Sequence, residues 1–543
     1  MAPHPGLEPG TLDSAPPVGF SPVRRRLERL APDQRAAATA APGPVLCVAP
    51  AGSGKTTTVV ARLAWRVAGG VDPATICALT FNRRAAEELQ ERADAALAEL
   101  GHGPGSARVR TFHALGRDIL ADAGLDVTRI VDRPQVLAHV LGRAPEPAEG
   151  RMLDDAFTRL KLDPERAPPA DAVETHAAFA AYQARLREIG AIDLDDLVAL
   201  TGPALLSDAA LLARWRARAA VLFVDEAQDL DRAQLDLAVL LAGEHRDIFL
   251  VGDDDQTIYA WRLADVRRVL GLAARLPGLR RVDLETNHRC APEVVHRAAR
   301  LVAHNQERFD KRIAAAPHTA GTVTLLPDPG DEVARARLLL TTWAREPAGE
   351  RHAVLARTNR ELLPFAAVAL ELGVACHLED DGLLLDDAGI DRALELAAAD
   401  TPVLPALREA AVSAGLPHEL TAALLGWGAP YADLGALREA LRDRRAARQR
   451  SASASAEVPL TLATIHGTKG LEWDHVACIG HDEGTFPSGR ALSEAADPAR
   501  VLEEERRLAY VAWTRAVRSL TIVYDPGAPS TFVLEAFDPA ELP

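Results

Sequence analysis

Short apolar runs alternate with helix-like segments along most of the chain, and this alternation limits the folds that the chain can adopt. Runs that are apolar throughout, rather than at every second position, are typical of strands buried on both faces of a parallel sheet. Such strands, each followed by a helix, predict a doubly wound α/β fold. The runs form two groups: PVLCVA, TICALTF, AAVLFVDE and DIFLVGD, and then GTVTLLP, HAVLART, LTLATIHG, HVACIG and SLTIVYD.

The two groups predict two α/β cores in tandem, because the strand rhythm stops near RRVDLETNHRC and then restarts. Two stretches with helical patterns and few strand signals predict a mainly helical insertion in each core. Residues 1–22 are rich in Pro and Gly, which predicts a disordered lead-in. We predict the first core at 23–115 and 205–285 with its insertion at 116–204, and the second core at 286–362 and 458–543 with a shortened insertion at 363–457 that ends in the Ser/Ala linker SASASA.

The composition excludes several classes of protein. The net charge of -16 argues against a generally basic surface, so a nucleic-acid site would have to be a local groove. Five cysteines without a CxxC pair predict a reduced, cytoplasmic protein with neither a metal cluster nor a disulfide framework. The apolar runs are too short to span a membrane and no signal peptide is recognisable, so we expect no membrane partner. Lysine occurs only as Lys55, Lys161, Lys311 and Lys469, so each retained lysine is of interest.

The glycine-rich stretch APAGSGKTTT follows the apolar run VLCV and opens a helix-like segment. In that context, backbone N–H groups wrap a phosphate chain at the helix N-terminus, the lysine reaches the β- and γ-phosphates, and the next hydroxyl binds Mg²⁺. An ordinary glycine-rich turn is the alternative, and the strand before and helix after argue against it. The predicted nucleotide-binding residues of this loop are Ala51, Gly52, Ser53, Gly54, Lys55, Thr56 and Thr57, with Thr56 also a metal ligand.

The run VLFVDEAQD contains carboxylates suited to Mg²⁺ binding and phosphate hydrolysis beside this loop. Asp225 at the strand tip would hold Mg²⁺, and Glu226 would activate the attacking water. A capped strand end with solvated acids is the alternative, and the phosphate loop upstream makes the catalytic interpretation the better one.

Three motifs in this order, DEAQD, VGDDDQTIYAWR and EEERRLAYVAWTRA, resemble those of the UvrD/Rep/PcrA family of superfamily-1 DNA helicases. The resemblance extends from LAPDQRAAATA to APSTFVLEA, which is nearly the whole chain after the lead-in. It implies two RecA-like P-loop cores that bind ATP and Mg²⁺, and a DNA-stimulated ATPase that moves 3′ to 5′ on single-stranded DNA.

The resemblance also implies roles for single residues of the ATP site. Gln34 would read adenine, Gln256 would contact the γ-phosphate and the attacking water, and Glu472 would contact the nucleotide. Arg289 and Arg515 would stabilise charge on the transferring phosphoryl group. The family often has Tyr where His288 stands and Arg where Thr57 stands, so looser adenine recognition is expected. The implied catalytic residues are Lys55, Asp225, Glu226, Gln256, Arg289 and Arg515.

Single-stranded DNA in such proteins stacks its bases on aromatic rings. Phe81, Tyr259 and Trp261 match those ring positions. Core packing is the alternative for any one ring, and for Phe112 we expect it. Leu263 replaces the glycine that the family has in the sequence WRGAD. Residues that match positions contacting the DNA backbone are Thr111, His113, Arg357, Asn359, His466 and Lys469.

The function expected from these motifs is an ATP-dependent helicase or translocase that acts on single-stranded and tailed duplex DNA in repair or recombination. One alternative is a motor subunit of a multi-protein repair or phage-defence complex, which the short second insertion favours and which co-purification of a protein partner would reveal. The other is a nucleotide-switched DNA-binding protein without unwinding. The complete set of Glu226, Gln256, Arg289 and Arg515 argues against that second alternative.

Overall fold

The computed structural model divides into two compact units. Unit 1 contains the chain up to Glu285 together with Glu307–Arg312, and unit 2 contains Thr286–Gln306 and the chain from Ile313 onward. The structure describes residues 20–169, 172–243, 247–317, 320–328, 330–343, 349–372, 374, 376–378, 388–398, 402–416, 418–450 and 460–542.

Unit 1 is built on a six-stranded, all-parallel sheet with the strand order β3-β2-β4-β5-β1-β6. Successive residues of its central strands enter two different apolar cores: Val45 and Cys47 lie in one, Leu46 and Val48 in the other. Both faces of the sheet are therefore covered by helices, which is why these strands are apolar throughout. The strands are β1 Val45–Val48, β2 Ile76–Thr80, β3 Arg108–Thr111, β4 Val221–Val224, β5 Ile248–Gly252 and β6 Arg280–Asp283.

The helices of unit 1 fall into two packing layers and a separate helical region. Helices Phe20–Glu28, Lys55–Ala68 and Arg83–Ala98 contribute to the core on one face, and Phe112–Asp122 and Arg232–Ala242 to the core on the other. The other α-helices of unit 1 are Pro32–Ala38, Arg133–Leu141, Pro147–Leu162, Val173–Glu188, Asp196–Ala199, Thr201–Ser207, Ala209–Arg218, Val266–Leu270 and Leu272–Arg275.

The predicted insertion at 116–204 has a small apolar core of its own, which includes Phe157, Tyr182 and Leu186. Its described residues form helices, short turns and one isolated bridge between Ile130 and Ile192.

Unit 2 is built on a second six-stranded, all-parallel sheet with the order β11-β12-β10-β13-β14-β9. A separate two-stranded parallel pair joins β7 to β8. The strands are β7 Thr286–Asn287, β8 Ala314–Ala315, β9 Thr322–Pro327, β10 His352–Ala356, β11 Cys376–Leu378, β12 Leu460–Thr464, β13 Trp473–Cys478 and β14 Ala516–Tyr524. The α-helices are Pro292–Val302, Glu332–Trp343, Leu363–Glu371, Ala388–Leu396, Val403–Ser413, His418–Gly428, Leu434–Arg450, Gly489–Glu494, Pro498–Trp513 and Thr531–Ala536.

The α/β class with two parallel-sheet cores is confirmed, and the domain boundaries stay predictions. Helix Phe20–Glu28 includes the last residues of the predicted lead-in, 20–22, while residues 1–19 lie outside the described residues. The Ser/Ala linker falls within 451–459 and also lies outside them. Within the described ranges no single helix is long and apolar enough to cross a membrane, and one bent pair, Asp196–Ser207 with Ala209–Arg218, passes by length and composition only.

Candidate functional site

The glycine-rich loop connects β1 to helix Lys55–Ala68, as the sequence predicts. Gly52 and Gly54 have positive φ values of 69 and 81, and a Cβ atom on Gly54 would lie 2.5 Å from Gln34 Nε2. Only glycine fits there, because the backbone is left-handed and a side chain has no room. The buried Ser53 Oγ has no hydrogen-bond partner among the described residues. A glycine-rich loop with an unsatisfied hydroxyl at a helix N-terminus fits a phosphate group.

Gln34 is buried against this loop. Its Nε2 donates to the backbone oxygen of Ser53 at 2.8 Å, and its Oε1 accepts from the N–H of Ala31 at 3.1 Å. The amide therefore fixes the loop to the start of helix Pro32–Ala38. Its contact with adenine stays a prediction.

The predicted catalytic carboxylates follow β4. Glu226 has φ 51 and ψ 45, a left-handed conformation that non-glycine residues rarely adopt and that costs about 1–3 kcal/mol. Its Oε2 lies 3.4 Å from Lys55 Nζ. Asp225 is buried, and its Oδ1 accepts from the Glu226 N–H at 2.9 Å. The structure thus brings Lys55, Asp225 and Glu226 together where two parallel strands end.

The residues offered for Mg²⁺, Thr56 and Asp225, follow β1 and β4. In the part of the chain that the structure describes, no group of three or more His, Cys, Asp or Glu side chains could hold a metal ion. One hydroxyl and one carboxylate fit an ion that takes most of its ligands from phosphate and water, as Mg²⁺ does beside nucleotides.

Gln228 connects the two acidic strand ends, and the sequence patterns do not assign it a role. Its Nε2 donates to Glu226 Oε2 at 2.6 Å, and its Oε1 accepts from the N–H of Asp253 at 3.1 Å. A Cβ atom on Gly252 would lie 2.4 Å from that Oε1, so glycine is required beside it. The signal that could have identified Gln228 is its place inside the motif DEAQD.

Gln256, predicted to contact the γ-phosphate, is buried in the turn after β5. Its Nε2 donates to Asp253 Oδ2 at 2.7 Å. Together with Gln228, this bond makes a continuous hydrogen-bonded path from Glu226 through Asp253 to Gln256.

The three aspartates of VGDDDQ surround Lys311, which the sequence patterns leave unassigned. Lys311 Nζ lies 2.8 Å from Asp253 Oδ1 and 2.9 Å from Asp255 Oδ2, and it also contacts Asp254. All four side chains are 0% exposed. Burial raises the pKa of Asp254 to about 6. Burial opposes the charge of Lys311, but the three carboxylates outweigh it and raise the pKa of the ammonium.

The predicted stacking rings lie together in unit 1. Phe81 and Tyr259 are stacked with centroids 5.2 Å apart, and Trp261 meets Tyr259 edge-on at 6.0 Å. Trp261 is 60% exposed, which is unusual for so large a ring. The guanidinium of Arg262, not predicted, lies 4.7 Å from the Trp261 ring centroid and 5.7 Å from that of Phe81. These groups form a surface of three flat rings and one cation, on which Trp261 and Arg262 are exposed and Phe81 and Tyr259 are partly buried.

Thr111 and His113 flank the start of helix Phe112–Asp122. Thr111 Oγ1 caps the helix by accepting from the Ala114 N–H at 3.2 Å. Phe112 is buried, which confirms that it packs in the core. Burial lowers the pKa of His113. Their contacts with DNA stay predictions.

In unit 2, three residues predicted for the ATP site lie together. Arg289 Nε donates to Glu472 Oε2 at 2.6 Å. Arg515 is only 2% exposed, and its guanidinium donates to the backbone oxygens of Val511 at 2.9 Å and Leu471 at 3.2 Å. Its burial was not predicted. His288 is exposed beside Arg289.

The remaining residues predicted to contact DNA follow strands of the second sheet. Arg357 Nη2 and Nε bind the buried Glu505 at 2.8 and 3.1 Å, so its charge is already paired. Burial lowers the pKa of His466 to about 4. Asn359 begins the turn Asn359–Leu362, and Lys469 is partly exposed after the turn Ile465–Thr468.

The doubly wound sheet, the glycine-rich loop and the paired Lys55 and Glu226 define unit 1 as the nucleotide-binding core of a P-loop NTPase. Residues 30–277 match the family UvrD/REP helicase N-terminal domain, and residues 435–526 match the family UvrD-like helicase C-terminal domain. The chain therefore belongs, with the relatives described next, to the UvrD/Rep family of DNA helicases, and its two cores are the tandem RecA-like cores of that family.

Three similar proteins, from two bacteria, are DNA helicases. The chain is 31% identical to the ATP-dependent DNA helicase UvrD2 of Mycobacterium tuberculosis, over 89% of this chain and 77% of that protein. It is 27% identical to UvrD1 of the same organism, over 94% of this chain and 84% of that protein. It is 33% identical to the Rep helicase of Escherichia coli, over 52% of this chain and 45% of that protein.

Proposed function

We propose that this chain is a DNA-stimulated ATPase that moves 3′ to 5′ on single-stranded DNA and separates tailed duplexes in DNA repair or recombination. The observation that carries the proposal is a path of contacts at the edge where strands β1, β4 and β5 end. It consists of the ion pair between Lys55 and Glu226 and the hydrogen bonds that connect Glu226 through Gln228 and Asp253 to Gln256. It joins a phosphate-binding lysine to a candidate base and to a candidate sensor. The direction of movement and the pathway follow from the family resemblance.

In unit 1, one set of groups binds the phosphates and another activates the attacking water. The backbone N–H groups of the loop and the Lys55 ammonium bind the phosphate chain, and Thr56 and Asp225 would hold Mg²⁺, which neutralises phosphate charge when bound. Glu226 accepts the proton of the attacking water, because its carboxylate is held in place by Gln228 yet remains partly exposed. Gln256 orients that water with its amide.

The family resemblance assigns to Arg289 and Arg515 the stabilisation of the charge that develops on the transferring phosphoryl group. The ion pair with Glu472 orients Arg289. Arg515 donates to two backbone carbonyls, so contact with a phosphate requires it to exchange those bonds. We therefore propose that Arg289 is the more readily available of the two cations.

The sensor and the DNA surface belong to one short segment. The turn Asp254–Gln256 is followed closely by Tyr259 and by the turn Ala260–Arg262, which presents Trp261. A base that stacks on Trp261 and a phosphate that contacts Gln256 would thus act on the same stretch of backbone. We propose that this segment couples the nucleotide state to the grip on DNA by adopting two alternative conformations.

The experiment is a strand-displacement assay on 3′-tailed, 5′-tailed and blunt duplexes, together with ATP hydrolysis in the presence and absence of an unpaired oligonucleotide. We expect the oligonucleotide to stimulate hydrolysis and only the 3′-tailed duplex to be unwound, with Glu226→Gln as the inactive control. Stimulated hydrolysis without displacement of any duplex would contradict the helicase and favour the nucleotide-switched alternative. Displacement of the 5′-tailed duplex alone would contradict the direction.

A further inference from the structure

Residues Glu307–Arg312, here called the strap, belong to unit 1 although the chain on both sides of them belongs to unit 2. Two cations of the strap meet the aspartates that follow β5. Arg308 binds both oxygens of Asp255 at 2.9 and 3.1 Å, and Lys311 contacts all three aspartates. The Phe309 N–H also donates to Asp254 Oδ2 at 2.8 Å. The strap is therefore fixed to the segment that carries Gln256.

Lysine suits this position better than arginine. An ammonium is a compact charge with three donors that point in different directions, whereas a guanidinium is a flat fork suited to one carboxylate. Lys311 meets three different carboxylates, while Arg308 pairs in the fork manner with one. This geometry explains why lysine stands here in a chain that uses arginine almost everywhere else.

Asp253 connects Lys311 to Gln256. Its Oδ1 accepts from Lys311 and its Oδ2 accepts from Gln256 Nε2 at 2.7 Å. An ionised carboxylate only accepts hydrogen bonds, so it fixes the nitrogen end of the Gln256 amide toward itself and the oxygen end away from itself. A neutral group at Asp253, or a buried carboxylate that has lost its cation, would no longer select that orientation of the amide.

We propose that Lys311 and Asp253 are positioning residues for Gln256, so that a strap inserted within the sequence of unit 2 sets the orientation of the γ-phosphate sensor in unit 1. The inference rests on the proposed role of Gln256 in ATP hydrolysis. It predicts that loss of the Lys311 charge slows the chemical step while leaving Lys55 and the phosphate loop intact.

The test compares Lys311→Met with Lys161→Met in the full-length chain, at a temperature where circular dichroism shows both variants folded. Lys161 is a matched control, because its side chain is 2% exposed and its ammonium binds two aspartates, Asp193 at 2.8 Å and Asp196 at 2.7 Å, elsewhere in unit 1. We expect Lys311→Met to lower kcat for DNA-stimulated ATP hydrolysis roughly 10-fold or more, with the Kd for ATP changed less than about 3-fold. Lys161→Met should change kcat by less than about 2-fold. Equal losses of kcat in the two variants would overturn the inference.

A double variant tests whether Lys311 acts by positioning Gln256 or by supporting the fold in general. If Lys311 acts through Gln256, then Lys311→Met in a Gln256→Ala background should lower kcat no further. If the loss of kcat in the double variant equals the product of the losses in the two single variants, the inference is overturned. Should Lys311→Met fail to fold, Asp253→Asn answers the same question, because it leaves two aspartates facing Lys311 and Arg308. A normal kcat in Asp253→Asn would overturn the inference.

The controls also separate this inference from the proposed function. Wild-type hydrolysis that DNA does not stimulate, or that survives Glu226→Gln, would contradict the proposed function itself. Stimulated wild-type hydrolysis that Gln256→Ala slows and Lys311→Met does not would contradict only the role of the strap.

Discussion

Lys55 Nζ lies 3.4 Å from Glu226 Oε2, so the lysine of the phosphate loop is paired with the candidate catalytic base. Gln228 holds the same carboxylate oxygen at 2.6 Å, so Glu226 keeps a second partner if the lysine turns toward a phosphate. Replacement of Lys55 should therefore affect ATP binding, whereas replacement of Glu226 should affect the rate of hydrolysis.

We expect Lys55→Ala to weaken ATP binding and Glu226→Gln to preserve it. The first removes the only ammonium at the loop, whereas the second keeps the shape of the side chain and removes its basicity. Glu226→Gln should lower kcat by roughly 10²–10⁴, the usual contribution of a general base. Equilibrium ATP binding and single-turnover hydrolysis measure the two effects. Substantial DNA-stimulated turnover by Glu226→Gln would rule out its role as the base.

We expect Trp261→Ala to weaken binding of single-stranded DNA by about 1–3 kcal/mol, the usual contribution of a stacked base. The ring is 60% exposed, so its removal should hardly change the melting temperature. Trp215→Ala is the comparison, because Trp215 is buried in the core of the same unit, and its loss should cost about 3–5 kcal/mol of unfolding free energy. Oligonucleotide titration and thermal denaturation measure both quantities. A sharply lower melting temperature for Trp261→Ala would mean that the ring supports the fold instead.

The left-handed backbone of Leu263 gives a prediction about how alanine and glycine at this position affect the stability of the protein. The residue has φ 65 and is buried in the same apolar core as Leu230 and Val269. Its side chain fills the core, while its left-handed backbone costs roughly 1–2 kcal/mol. Both Leu263→Ala and Leu263→Gly should destabilise the protein by leaving a cavity. We expect Gly to be the less harmful of the two, the reverse of the usual order, when unfolding is followed in urea. If Leu263→Ala is the more stable variant, the backbone strain is unimportant.

His481 should make the protein sensitive to acid. Its ring is 0% exposed, its Nε2 accepts from Trp513 Nε1 at 3.0 Å, and burial lowers its pKa to about 3. The neutral ring stabilises the folded state above the unfolded pKa of about 6.5, and this stability is lost as the pH falls toward 3. Between pH 7.5 and pH 5 the loss is about 2 kcal/mol, at about 1.4 kcal/mol per pH unit below 6.5.

His481→Gln keeps an acceptor and cannot be protonated in this range. It should flatten the dependence of the unfolding free energy on pH by that same amount, whatever its effect at pH 7.5. An unchanged slope would show that His481 does not cause the acid sensitivity.

In the first sheet, the sequence predicts the central strands better than the edge strands. The pattern predicts strands β1, β2, β4 and β5, because both of their faces are buried and nearly all of their residues are apolar. The edge strands β3 and β6 were missed, because RVRT and RRVD carry arginines and are only partly buried. Edge strands are commonly charged, which removes the apolar signal.

The candidate site shows the same limit. The sequence predicts Lys55, Asp225, Glu226 and Gln256 because each lies in a short motif beside a strand end. Lys311 could not be assigned, since it meets its aspartates across some 58 positions of sequence. Its only signal was that lysine is rare in this chain.

The path of the chain limits how the protein can be dissected genetically. The chain leaves unit 1 after Glu285, returns for Glu307–Arg312 and leaves again, so no contiguous gene fragment encodes unit 1 alone. A fragment that ends at Glu285 would bury three aspartates without Arg308 and Lys311. Such a fragment should fold poorly by itself, and a synthetic peptide carrying the missing six residues should complement it in trans.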